Sequence, residues 1–375
     1  MVSRRVVLGA GMGGLALVGA GGVWRVTRSP QSAYGPWNLA PEPLADVRLD
    51  AFRHAILAPN PHNRQPWLIR LVDGDAADIS CDLEKRLPVT DPFDRQITIG
   101  FGTFLEMARI AAAMRGYRME IEPFPNGEAQ PRLDSGPVAS VRFIADPTAP
   151  VDALFDVITQ RRSNKEEYDL SRPVAEERLK EVTRDGGDFI IDAQQVEQMR
   201  AQIQEAIMAE MHNHDAHMES VRLMRIGHAE VDASPDGIDL SGPMIEAGNA
   251  LGMVSRDEIA DMSSSAYQTG VDQMQSTYGS IPALFWITTE DNSRASQLEA
   301  GRQYVRANLR ATALGLAVHP MSQSLQEYDD VAPMYDEVHR LLGASGDQRV
   351  QMLARIGYGP KIGPSPRWPL ETHLA

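Results

Sequence analysis

Apolar residues recur at helical spacing from Leu44 to Leu57, at Leu44, Val47, Leu49, Phe52 and Ile56, so a helix is predicted there that stops before Pro59. Trp67–Val72 and Ile79–Leu83 read as strands joined across the Asp73-Gly74-Asp75 turn. Thr103–Arg115 is an alanine-rich buried helix closed by Gly116, and strands follow at Tyr117–Glu122 and Val138–Ile144. A second round then begins. Val151–Gln160 is a predicted helix, Gln194–Arg225 one long helical stretch, and Asp232–Pro243 a turn-rich insert. Ile281–Thr289 is a strand with Phe285 and Trp286 inside it, Arg302–Leu314 a helix closed by Gly315, and Leu316–His319 a short strand. Val331–Leu342 and Val350–Tyr358 complete the pattern as helix and strand.

The two rounds share a spacing. Gly102 to Gly116 and Gly301 to Gly315 bracket similar helices, and Ala108, Ile110 and Ala112 align with Ala307, Leu309 and Ala311. A duplicated α+β unit is one reading of this, and chance likeness of two buried helices is the other. The 375 residues suffice for one large or two ordinary cores. The formal charge of -15, with scattered basic residues, argues against a nucleic-acid partner. Cys81 is the only cysteine, which excludes an intrachain disulfide and a thiol redox pair, while most of the 17 methionines read as adaptable core filling.

The amino terminus has its own logic. Arg4-Arg5 precedes an uncharged, Gly/Ala-rich run from Val6 to Trp24, followed by Arg25 and Arg28. Residues 1–30 therefore read as a twin-arginine export signal, cut near Val18-Gly19-Ala20, or as a membrane anchor through 6–24 if uncut. The expectations that follow are engagement of the Tat translocase and a location in the periplasm or on the outer face of the cytoplasmic membrane. Gly9-Ala10-Gly11-Met12-Gly13-Gly14 fits a dinucleotide-binding turn, but Ser29 to Gly35 lacks the acidic residue such a fold needs. Residues 31–43 are rich in Pro, Ser and Gly and are expected to be an extended linker.

Candidate chemistry concentrates in four stretches: Ala58-Pro59-Asn60-Pro61-His62-Asn63-Arg64-Gln65-Pro66-Trp67; Arg161-Arg162-Ser163-Asn164-Lys165; Leu314 to Gln323; and Arg355-Ile356-Gly357-Tyr358 with Pro364 to Leu370. Arg161, Arg162, Ser163, Lys165 and Arg367 supply cations and a hydroxyl suited to a phosphate. Asn63 and Gln65 offer amide donors and acceptors to a flat polar ring, or cap their own loop. Other clusters are weaker. His212, His214 and His217 lack an evident third ligand, Asp232, Asp236 and Asp239 lack EF-hand spacing, and no Gly-x-Ser-x-Gly nucleophile motif occurs. Tyr267, Gln268 and Tyr278 are candidates for a lid.

In order and spacing these four stretches resemble the flavin-dependent nitroreductase family, and the chain is similar to its Acg-type tandem forms. The resemblance implies an α+β fold of two related halves, 44–150 and 151–375, packed as a pseudo-dimer. It implies FMN as cofactor, with Arg161, Arg162, Ser163, Lys165 and Arg367 toward the phosphate and ribityl chain. Asn63 and Gln65 would meet the pyrimidine edge, and Pro320, Met321 and Ser322 would lie along the ring. Asn60-Pro61 and Lys165 depart from the family's usual Ser-Ser and Arg. The activity implied is reduction of a small electrophile, such as a nitroaromatic or quinone, through flavin N5 and without a side-chain catalyst. A flavin-sequestering protein with little turnover is the alternative.

Overall fold

The computed structural model describes residues 31–375. Residues 1–30, expected to be an export signal or anchor, and the glycine motif within them lie outside the described residues.

Two four-stranded antiparallel sheets organise the chain. The first contains β1 (Trp67–Val72), β2 (Ala76–Cys81), β3 (Tyr117–Pro123) and β4 (Pro137–Ala145), in the order β1-β2-β4-β3. The second contains β5 (Asp188–Ile190), β8 (Ala283–Thr289), β9 (Ala317–Pro320) and β10 (Arg349–Gly357), in the order β5-β8-β10-β9. A short parallel pair joins β6 (Met224–Ile226), at the end of the stretch expected to be helical, to β7 (Ile238–Leu240), inside the insert expected to be turns. The α+β class expected from the sequence is the one observed.

Both four-stranded sheets therefore follow the same plan: first, second, fourth, third. In each, one 20-residue helix joins the second strand to the third. With the preceding helix Val47–Ala55 as α1, these are α2 (Arg95–Met114) and α6 (Arg294–Ala313). The helices α3 (Ala193–His212), α4 (His214–Leu223) and α5 (Ser265–Gly279) fall between them, and α7 (Ala332–Leu341) follows.

α2 and α6 pack directly on each other. A Cβ on Gly102 would lie 2.0 Å from the Leu298 carbonyl oxygen, and one on Gly301 would lie 2.0 Å from that of Ile99. Backbone meets backbone only because both positions lack side chains. The offset from Gly102 to Gly301 also relates Ile99 to Leu298, Arg95 to Arg294, and Gly116 to Gly315. Arg95 reaches into the second sheet region, donating to the Gln351 carbonyl at 3.0 Å and pairing with Glu327 at 3.0 Å. Arg294 reaches the other way, to the carbonyls of Ala129 (3.2 Å) and Pro131 (2.9 Å).

Both central helices start about two turns earlier than the apolar spacing suggests. Gly100 and Gly102 weaken helix propensity in α2, and the polar opening of α6 hides its register. Val151–Gln160 forms a 3-10 helix over Ala153–Gln160 rather than an α-helix. The stretch Gln194–Arg225 breaks at Asn213, whose side chain accepts from the Ala216 N–H at 2.9 Å and caps α4. The expected extended linker is also partly folded. Gln31–Tyr34 is helical, Gly35–Trp37 is a 3-10 turn, and Ala33 and Trp37 are buried.

Candidate functional site

The loop between α1 and β1 is built under strain. His62, Asn63 and Gln65 all have positive φ, at 45°, 52° and 51°. Asparagine tolerates this conformation, whereas histidine and glutamine pay for it, on the order of 1 kcal/mol each. Local bonds hold the shape: Asn60 Oδ1 accepts from the Gln65 N–H at 2.8 Å, and the Arg64 N–H donates to the Pro61 carbonyl at 3.0 Å. Thr103 of α2 donates to the Pro59 carbonyl at 2.7 Å, fixing the loop to the central helix.

The Arg161–Lys165 segment lies against both this loop and β9. Arg161 donates to the Leu57 carbonyl at 3.1 Å, and the Asn164 N–H donates to the Val318 carbonyl at 2.9 Å. Arg367 arrives from the carboxy-terminal stretch beside the same loop. All ten residues singled out from the sequence thus belong to neighbouring segments, although not all of them face a ligand.

Arg367 differs from its expected role. Its side chain donates to the carbonyls of Ile56 (2.9 Å), Leu57 (3.3 Å), Ala58 (3.0 Å) and Pro366 (2.9 Å), and to Asn63 Oδ1. All five guanidinium N–H groups are therefore used inside the protein. Arg367 contributes charge and holds the loop, but it has no spare donor for a phosphate.

Asn63 and Gln65 also brace the loop. Asn63 Nδ2 donates to the Pro366 carbonyl at 2.9 Å. Gln65, which is buried, donates to the Pro235 carbonyl at 2.7 Å and accepts from the Trp368 N–H at 2.9 Å. Loop bracing uses both donors and the oxygen of Gln65, whereas half-buried Asn63 keeps one Nδ2 donor. Met321 is buried in the apolar cluster with Tyr278 and Leu353, and its N–H donates to the Leu353 carbonyl at 2.8 Å. Its side chain packs into that apolar cluster. Pro320 and Ser322 remain partly accessible.

What stays available is cationic. Arg161 is fully buried with its Nε unpartnered, and Arg162 Nε is likewise unpartnered. Among the described residues, no carboxylate lies within ion-pair distance of Arg161, Arg162 or Arg367. Burial pushes the Arg161 pKa down to about 10, with the Arg162 charge adding to the fall, and burial followed by Arg161 and Arg162 takes Arg367 well below its usual value. Uncompensated buried guanidinium groups are costly, and an anion beside them would offset that cost. Ser163 lies 3.4 Å from Arg161 Nη1.

Lys165, His62 and His319 surround the adjoining space. Lys165 keeps solvent contact, yet desolvation lowers its pKa, with Asp239 opposing the fall. The His62 pKa drops to about 4 by burial, then by the charges of Lys165 and Arg64. His319 is held well below its usual value by burial, then by Arg355 and Lys165, and its Nδ1 has no partner. Both imidazoles are neutral at pH 7 and can offer one donor and one acceptor each. His62 and His319 fall within the candidate stretches without having been singled out, and Trp37 falls outside them. An indole inside a Gly-Pro-Trp stretch of supposed linker was the available signal for the last.

The other candidates are structural. His217 is buried, bonded to the Ile259 carbonyl at 2.8 Å and packed edge-on against Tyr267. Asp236 pairs with Arg64, Lys85 and Arg225, while Asp232 and Asp239 accept from Ser32 and Tyr34. Tyr278 is the expected lid residue that reaches the site, stacked edge-on to His319 and donating to Gln323 at 2.8 Å.

Behind Tyr278, Glu210 is buried and accepts from Gln326 at 2.6 Å. Burial raises its pKa to about 7, against the opposing bonds from Gln326 and Gln323. The folded state therefore holds a proton that the unfolded chain has lost, and stability falls as pH rises from about 4.5 to 7. Glu210→Gln removes that dependence. Urea melts are expected to show the variant more stable than wild type at pH 8, with the gap closing by pH 5. An equal gap at both values would contradict a buried protonated acid.

The described residues form an α+β fold in which Arg161, Arg162 and Arg367, without a carboxylate partner, cluster where segments of two similar sheet units meet. No family model matches the chain. It is 25% identical over 327 residues, 84% of its own length and 86% of the relative's, to "Putative NAD(P)H nitroreductase Rv3131" of Mycobacterium tuberculosis (strain ATCC 25618 / H37Rv). It is 26% identical over 324 residues, 86% of the chain and 92% of the relative, to "Putative NAD(P)H nitroreductase acg" of the same strain. A nitroreductase with bound FMN from Bacteroides fragilis aligns at 14% identity over 57% of this chain and 91% of its own, with a TM-score of 0.33. That likeness is too slight to add to the fold, which stands on the strand order above.

Proposed function

We propose that this chain is an FMN-dependent oxidoreductase of the nitroreductase family, reducing a small electrophile. The observation that carries this reading is the convergence of Arg161, Arg162 and Arg367, without a carboxylate, beside a strained loop from the other sheet unit. A phosphate monoester near pH 7 carries close to two negative charges, which suits such a cluster. The names of the mycobacterial relatives support it.

Arg161 and Arg162 hold the phosphate through their spare donors, with the Ser163 hydroxyl beside them. Lys165, His62 and His319 line the space toward the ring, and Pro320 and Ser322 border it. Bound FMN would supply hydride transfer at its N5. The chain's own task is to bind, orient and shield: neutral His62 and His319 offer hydrogen bonds without adding charge, and the α2–α6 pair keeps the two walls in register. An external electron acceptor enters from the Lys165 side, which stays open to solvent.

The two units are best read as two nitroreductase-like halves fused into one chain. The shared strand order and the reciprocal Gly102–Gly301 contact support this. One FMN site per chain is then expected, because the first half lacks an equivalent cation seat. Arg48, its nearest basic candidate, is already paired with Asp46 at 2.6 Å and bound to the carbonyls of Asp73 (2.6 Å) and Ala76 (3.1 Å).

Visible absorption of the purified chain tests the reading. A yellow protein, bleached by NADPH without oxygen and recoloured by a nitroaromatic or quinone, is expected. A colourless chain that cannot take up FMN would refute it. Bleaching by dithionite but never by a nicotinamide donor would move the reading to flavin sequestration.

A further inference from the structure

The strap Gln31–Trp37 precedes the first core helix and is tied down at distant points. Ser32 donates to Asp232 at 2.8 Å, Tyr34 donates to Asp239 at 2.8 Å, and the Arg367 N–H donates to the Ala33 carbonyl at 2.8 Å. Its last residue, Trp37, is buried and donates its indole N–H to the Ser365 carbonyl at 2.7 Å. The guanidinium carbons of Arg162, Arg367 and Arg161 lie 4.7, 5.3 and 5.8 Å from the centre of that one indole.

Three like charges around one point repel; backbone carbonyls fix each guanidinium separately, and one surface shared by all three would offset the repulsion. A carboxylate would do so, but it would also cancel the charge that a phosphate needs. An indole face attracts cations through its quadrupole while carrying no net charge, and tryptophan does this best among the aromatic residues. We propose that Trp37 is a positioning residue: the strap delivers its indole as a neutral counter-surface that gathers Arg161, Arg162 and Arg367 and leaves their charge free for the flavin phosphate. The inference rests on the FMN reading above and concerns only the phosphate end of that site. It also assigns residues 31–37, part of the expected linker, a part in flavin retention.

The test compares FMN with riboflavin, which lacks the phosphate, on the full chain. The readout is the ratio of their dissociation constants, which a general loss of stability would not move. Trp37→Leu keeps an apolar side chain but removes the quadrupole, and it is expected to shrink the preference for FMN roughly ten-fold with riboflavin affinity held. Trp37→Phe keeps a weaker quadrupole and should fall between Trp37→Leu and wild type. An unchanged ratio in both variants would overturn the proposal. So would tighter FMN binding by Trp37→Leu, since the strap would then be a plug on the site. A wild-type chain that binds FMN no better than riboflavin would overturn the phosphate seat, and this inference with it.

Discussion

Gly102→Ala and Gly301→Ala should each destabilise the protein by about 3 kcal/mol or more, and by similar amounts. Alanine in a helix interior is ordinarily worth about 1 kcal/mol over glycine, so the sign is not obvious from propensity. Geometry decides it. The new Cβ would sit 2.0 Å from a backbone carbonyl oxygen of the facing helix, at Leu298 or Ile99, and a backbone cannot step aside as a side chain can. The helices must part, loosening the contact that holds the two sheet units together. Urea or thermal melts of each variant measure the effect. Stabilisation by either substitution would mean that α2 and α6 do not approach in this way. Similar losses from both would match the reciprocity of the pair, whereas one large and one negligible loss would not.

Arg161→Ala should weaken FMN binding about a hundred-fold while leaving riboflavin binding within a few-fold. Charge-assisted hydrogen bonds are worth roughly 1.5–3 kcal/mol each, and Arg161 has spare donors at the proposed phosphate end. Arg161→Lys keeps the charge without the fork and should lie between. Arg367→Ala should behave differently. Its donors are spent on four backbone carbonyls and Asn63, so its loss should lower overall stability and weaken both flavins together. Fluorescence titration with the two flavins separates the cases. A selective loss of FMN from Arg367→Ala alone would show that the phosphate has been assigned to the wrong arginine.

The contrast between these arginines shows what the sequence could and could not reveal. Strands β1, β3, β4, β8 and β10 were legible because short β-branched and aromatic runs are bounded by turns. The likeness of α2 and α6 was visible as matched glycines, but the early turns of both were hidden by glycine and polar residues whose worth lies in the facing helix. Residue types at the site were legible too. Their employment was not, because a side chain's spare donors depend on which carbonyls the fold brings to it. Arg161 and Arg367 look alike in sequence, yet one retains an unpartnered Nε and the other is fully used. Trp37 escaped notice for the same reason: nothing near it in sequence says that three arginines will gather on its face.

The central claim is one FMN site per chain, with its phosphate end at Arg161 and Arg162. Titrating flavin-free protein with FMN and with riboflavin tests it most directly. The account predicts saturation at one FMN per chain and clearly weaker binding of riboflavin. No uptake of FMN, two FMN per chain, or equal affinity for the two flavins would contradict it.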